Sequence, residues 1–124
     1  MTARRIGFVG VRIGDLDAYV RTVALYRDVL GLAVTRDDGE RSTRFVLPDG
    51  TSLHLYGPAD MDHVDFGERT CVGLFVDDVA AARNALAATG IELLDAIEED
   101  DTEAWFHYRA PDGSVQEIIG PRTD

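Results

Sequence analysis

The chain repeats itself. When the sequence is shifted by 63 positions, fifteen residues fall on identical partners, nine of them as follows. Val9, Gly10, Asp15 and Ala18 align with Val72, Gly73, Asp78 and Ala81. Pro48-Asp49-Gly50 aligns with Pro111-Asp112-Gly113, and Gly57-Pro58 with Gly120-Pro121. The apolar pattern echoes as well, with Val11 on Leu74, Ile13 on Val76 and Leu55 on Ile118. A fixed-period echo of this kind means that one supersecondary unit is used twice. A function is therefore to be sought where two like modules face each other.

Each module reads as a strand, a helix and then further strands. In the first, Val9, Val11 and Ile13 alternate with Phe8, Gly10 and Arg12, the period of a strand. Asp15 is placed to cap a helix, along which Leu16, Tyr19, Val20, Val23 and Leu30 recur at helical spacing. Gly31 is placed to end it in the left-handed region. A short strand is expected over residues 32–36, then a hairpin of 41–47 and 51–56 around Pro48-Asp49-Gly50. The second module copies this order: strand 71–76, cap Asp78, helix 79–89, stop Gly90, strand 91–94, an acidic loop over 95–103, and a hairpin of 104–109 and 114–119. Module one spans 5–58, a linker 59–69, and module two 70–121, within one domain covering 1–124.

The bulk numbers narrow the function classes. A net charge of −11 argues against nucleic acid, which needs a basic face. It is compatible with a cationic ligand, or simply with solubility. No apolar run has the length of a membrane span. The start of the chain lacks a signal-peptide core and the single Cys71 has no disulfide mate, so a cytoplasmic setting is expected.

The period of two also assigns faces. Val9, Val11 and Ile13, like Val72, Leu74 and Val76, form the face that packs under a helix. The opposite face holds Phe8, Gly10 and Arg12 in one copy and Cys71, Gly73 and Phe75 in the other. Ser52, His54 and Tyr56 share that uncovered side, and Val115, Glu117 and Ile119 match them. Such a mixture of aromatic, basic and acidic residues suits a ligand cavity better than a core. Trp105 and His107, with Arg44 as the repeat-mate of His107, line it too, unless Phe106 and Tyr108 turn inward instead. A buried carboxylate needs a partner. For Glu117 the choices are Arg12, Arg44, His54 and His107, either as a structural ion pair or as part of a ligand site.

These residues bring a family into view. The paired βαβββ modules, the Asp-capped helices, "YRDVLGL" (26–32), "FVDDVAAARNALAATGIEL" (75–93) and "PDGSVQEI" (111–118) resemble the vicinal oxygen chelate superfamily. Its members include glyoxalase I, bleomycin-resistance proteins, fosfomycin-resistance enzymes and extradiol dioxygenases. The resemblance implies an α+β fold in which two tandem βαβββ modules form a curved mixed sheet around a cavity. It implies a homodimer. It also implies that a metal, where a relative holds one, would sit at the positions of Phe8, His54, Cys71 and Glu117. Phe8 brings no donor atom there, and one thiol, one imidazole and one carboxylate are unlike a facial-triad iron site.

Three readings follow. The first is metal-independent binding of a small aromatic or cationic molecule, with no cofactor, using Phe8, Arg12, Arg44, His54, Tyr56, Cys71, Phe75, Trp105, His107 and Glu117. The second is a lyase, isomerase or dioxygenase that holds a divalent metal such as zinc on His54, Cys71 and Glu117. An enzyme could also be metal-free, with Glu117 or a histidine as general base and Arg12 or Arg44 stabilising an enolate or oxyanion. Glu117, His54 and His107 are thus the candidate catalytic groups in an enzyme of either kind. A regulatory or self-resistance partner with no small ligand is the third reading. Neither nucleic acid nor a membrane is expected as a partner.

Overall fold

A computed structural model describes residues 2–67 and 69–122. It divides into two compact units. The first runs from Val9 to Thr70, and the second joins the residues up to Phe8 to those from Cys71 onward. The strand β1 (Arg5–Arg12) is thus shared, four residues going to each unit.

In the first unit β1 leads into α1 (Leu16–Ala24), then β2 (Ala33–Asp37), β3 (Ser42–Val46) and β4 (Ser52–Tyr56). Its strands lie in the order β2-β3-β4-β1. The second unit holds β5 (Cys71–Phe75), α2 (Val79–Ala88), β6 (Glu92–Leu93), β7 (Glu98–Glu99), β8 (Glu103–Arg109) and β9 (Val115–Pro121). Here the order is β1-β5-β9-β8-β6, with β7 also on β8. Pairing is mixed: β5 and β9 run parallel, while β8 and β9 run antiparallel. The fold is α+β, with the repeat unit used twice.

The identities of the repeat mark where the chain must turn or begin a helix. Asp15 Oδ2 accepts the Ala18 N–H at 2.8 Å, and Asp78 Oδ1 accepts that of Ala81 at 3.0 Å, satisfying one orphan donor at each helix start. In both hairpins the turn aspartate accepts a backbone N–H two residues on, Asp49 from Thr51 and Asp112 from Ser114, each at 2.9 Å. Gly50 and Gly113 follow at φ 89°, a conformation that a Cβ would oppose. Ile13 N–H donates to the Tyr56 carbonyl at 2.8 Å, and the repeat-mates Val76 and Ile119 do the same at 2.9 Å.

The helices differ in length. Beyond Ala24 the first continues through a π-helical turn, Leu25–Val29, giving 14 residues against 10 in α2. Those four extra residues are the ones by which Asp15 to Gly31 outruns Asp78 to Gly90. The second unit regains them in the segment that carries β7.

Each unit has its own core beneath its helix. In the first, Tyr19, Phe45 and Leu55 are packed by Val11, Ile13, Val23, Tyr26, Leu32 and Leu53. In the second, Val76, Val79, Ala82, Ala104, Phe106 and Ile118 are packed by Leu74, Leu86, Leu93, Ile97 and Tyr108. Burial of each large side chain is worth roughly 1.5–3 kcal/mol. Val11, Ile13, Leu74 and Val76 thus lie on the core side, as the alternation predicts. Leu16, Val20 and Leu30 do not, being 44%, 54% and 60% exposed. The helix carries two apolar stripes, and only the one through Tyr19, Val23 and Tyr26 meets the sheet. Nor is the segment between modules a bare connector. Val64–Phe66 forms a short 3-10 turn, and Asp60 and Phe66 are buried.

Candidate functional site

The parity of β8 and β9 decides which side chains leave the core. Phe106 pairs with Ile118, and both enter the hydrophobic cluster under α2. The neighbouring pair, His107 opposite Glu117, therefore stands on the other face with Trp105 and Ile119. Across the parallel ladder Glu117 is level with Gly73. His107, Glu117 and Gly73 thus form one row over three strands.

Three side chains of the second unit connect in a chain. His107 Nε2 lies 3.1 Å from Glu117 Oε1, and His107 Nδ1 lies 2.8 Å from Asp95 Oδ2. The other Asp95 oxygen accepts the His107 backbone N–H at 2.7 Å. The Asp95 carbonyl accepts from Arg83 of α2 at 3.0 Å. Both imidazole nitrogens face carboxyl oxygens, and with both carboxylates ionised both nitrogens donate and the ring is an imidazolium. Burial opposes that charge, but hydrogen bonds and charge from Glu117 and Asp95 outweigh it and raise the His107 pKa to about 9.

Glu117 is only 5% exposed. Burial pushes its carboxyl above the ordinary range, while the contact with His107 pulls it back. Its second oxygen, Oε2, is buried and has no hydrogen-bond partner among the described residues. A Cβ on Gly73 would stand 2.6 Å from that oxygen and 2.9 Å from the Phe8 Cβ. Gly73 thus leaves room for the carboxylate beside the Phe8 Cβ. Cys71, two residues before Gly73, is fully buried and in no disulfide.

Phe75 is covered by the chain itself: the Arg5 guanidinium carbon sits 4.3 Å from the ring centroid, a cation–π contact. Half-buried Trp105 donates its indole N–H to Glu98 of β7 at 2.9 Å.

The first unit places a different set together. Arg44 and His54 face each other across β3 and β4. His54 Nδ1 lies 3.1 Å from the Tyr56 hydroxyl. The Tyr56 ring stacks on His63 with centroids 3.7 Å apart, and His63 Nδ1 lies 2.9 Å from Asp60 Oδ1. Burial, with the nearby charges of Arg44 and His63, lowers the His54 pKa to about 4, so the ring is neutral at physiological pH. Arg12 and Arg44 are half-buried, with their Nε atoms withdrawn from solvent.

Sequence reasoning names His107 and Glu117 and offers His107 among the four partners for the acid, and these two meet. It misses Asp95, which lies in an acidic run without periodicity, and Asp60 and His63, which lie in the segment read as a linker. Gly73 had a signal, since it and Gly10 are a repeated glycine inside a strand, where a close approach is the usual cause.

Phe8 has no donor, Glu117 Oε1 is taken by His107 Nε2, and His54 Nδ1 by the Tyr56 hydroxyl. Among the described residues no group of three His, Cys, Asp or Glu side chains is arranged to hold a metal ion.

Two helices over mixed sheets, with the same βαβββ unit used twice and polar rows on the faces away from the helices, define a glyoxalase-like α+β protein. A family model for the Glyoxalase/Bleomycin resistance protein/Dioxygenase superfamily matches residues 5–118, and the chain belongs to that superfamily. Among solved structures it is similar to methylmalonyl-CoA epimerase from Mycobacterium tuberculosis, at 18% identity and TM-score 0.67, covering 99% of this chain and 94% of that one. It is similar to Streptomyces coelicolor methylmalonyl-CoA epimerase in complex with 2-nitronate-propionyl-CoA, at 19% identity and TM-score 0.67, covering 98% and 100%. A superfamily member from Vibrio splendidus 12B01 matches at 19% identity and TM-score 0.63, covering 95% and 98%. At such identities the likeness is one of fold. No curated protein sequence matches the chain. Among the described residues no helix is long and apolar enough to cross a membrane.

Proposed function

We propose that this chain binds a small cationic molecule, aromatic or carrying an ammonium group, without a metal, and that Glu117 is its anchor. The observation that carries this reading is the second oxygen of Glu117. A buried carboxylate oxygen without a donor is costly, by about 1–3 kcal/mol or more. Here His107 satisfies one oxygen and leaves the other beside Phe8. The chain Asp95–His107–Glu117 carries two carboxylates and one imidazolium, so a negative charge is left over for a ligand. An N–H or ammonium group would satisfy Oε2, and the Phe8 ring would offer it an apolar or cation–π surface.

The test is calorimetry of the purified chain against aromatic amines and cationic glycopeptides, each paired with a neutral analogue. The cationic member of a pair binds and the neutral one does not, and Glu117→Gln weakens binding roughly ten- to hundred-fold. Binding of neutral and cationic members alike would overturn the reading. So would about one metal per chain by elemental analysis, if His54→Ala and Glu117→Ala both lose it.

A second reading rests on the raised carboxyl of Glu117: a metal-free enzyme in which Oε2 takes a proton from a bound substrate. Turnover of a bound compound, abolished in Glu117→Gln with binding retained, selects it.

A further inference from the structure

We propose that the first unit carries a separate oxyanion-binding site, built on Arg12 and Arg44, that takes a carboxylate or phosphate group. This goes beyond the cationic ligand assigned to Glu117 and does not depend on it.

Charge pairing across the molecule makes these two residues stand out. All 12 basic residues are arginines, against 23 acidic ones, so carboxylates are in ample supply. Arg4, Arg27, Arg36 and Arg122 each hold a carboxylate oxygen within 3.0 Å. Arg21 and Arg109 have looser partners at 3.7 and 3.6 Å. Arg12 and Arg44 have neither a carboxylate nor a hydrogen bond at the guanidinium among the described residues, although both are half-buried. An exposed arginine without a partner is unremarkable. A half-buried one with its Nε–H withdrawn from water has lost hydration without replacement.

The two lie on one side of the sheet. Phe45, Leu53, Leu55, Val11 and Ile13 point into the core under α1, so their neighbours Arg44, His54 and Arg12 point the other way. Arg44 faces His54 on one flank and Arg36 on the other. Directly opposed like charges destabilise a sheet. Arg36 is neutralised by Asp38, and His54 carries no charge at neutral pH. The acid nearest this row in sequence to Tyr56, Asp60, is bound through both oxygens to His63. Arg44 and Arg12 therefore keep their charge uncompensated. The Nε–H edge of a guanidinium offers two parallel donors, a geometry that matches the two oxygens of a carboxylate or phosphate.

The test follows the Arg Nε–H resonances of the full chain by NMR while sodium phosphate, or separately sodium benzoate, is added at constant ionic strength set with sodium chloride. The Arg12 and Arg44 signals shift and saturate, with a Kd below about 1 mM. Calorimetry gives roughly ten- to hundred-fold weaker binding for Arg12→Gln and Arg44→Gln. Arg21→Gln, on an exposed ion pair, binds as the wild type does. Saturation by benzoate alone identifies a carboxylate as the natural group, and by phosphate alone a phosphate. The proposal fails if neither anion saturates, if all arginine signals drift together, or if both glutamine variants bind unchanged. The wild-type NMR readout stands even if a variant does not fold, and a failure here leaves the cation-binding result at Glu117 untouched.

Discussion

A single imidazole decides the electrostatics of the second unit. His107 is held between Asp95 and Glu117, and its pKa rises from 6.5 to about 9. Protonation is therefore favoured in the folded state. The stability it adds is complete below the unfolded value of 6.5 and is lost as pH climbs through about 9. Tyr19 and Tyr108 are pushed above their ordinary value of 10, so they contribute little in that window. Urea unfolding between pH 6.5 and 9.5 should show the unfolding free energy falling with pH, by up to about 3 kcal/mol. In His107→Gln the imidazolium's share of that slope should be lost, leaving only what the raised carboxyl of Glu117 contributes. An unchanged slope in the variant would remove the imidazolium from the account. The sequence placed His107 and Glu117 on one face through the alternation of two strands. It was silent on Asp95, because a loop residue that reaches back to a strand leaves no periodic trace. Asp60 and His63 escaped for the same reason, although their spacing of three already allowed the contact they make.

At the scale of elements the repeat carried most of the information. Among the positions kept identical across 63 residues are those where backbone geometry leaves little choice: the helix caps Asp15 and Asp78 and the Pro-Asp-Gly hairpin turns. Most strand and helix limits follow from them to within one or two residues, but β1 begins earlier, at Arg5. In addition, β7 (Glu98–Glu99) forms where an acidic loop is expected, since it pairs with β8 through backbone and needs no apolar period. What the repeat could not show is the π-helical turn, since an insertion has no counterpart in the other copy. It could not show which stripe of α1 meets the sheet either, because both are apolar. The caps offer a direct comparison. Asp15→Ala and Asp78→Ala should each cost about 1 kcal/mol, or roughly 4 °C in Tm by calorimetry, with Asn at either site retaining most of the stability. Equal losses from Ala and Asn would point to the charge on the helix rather than to the hydrogen bond.

For the whole molecule, the question is what covers the second stripe of α1. Leu16, Val20, Leu25 and Val29 are 44%, 54%, 46% and 72% exposed. Their spacing is four, five and four. The five falls where the helix passes into its π turn, and the wider turn keeps the stripe on one side. A chain of net charge −11 repels its own copies over most of its surface. Along this helix the charges cancel locally, Asp17 with Arg21 and Arg27 with Asp28. An uncharged apolar stripe in an acidic chain is where a second copy can approach, and the homodimer expected from the sequence is proposed to form there. Sedimentation at micromolar concentration should give twice the chain's mass. Val29→Asp should halve it while leaving Tm within a few degrees, since so exposed a side chain contributes little to the monomer's own core. A wild-type monomer would refute the dimer. A dimer that survives Val29→Asp would move its interface off this helix.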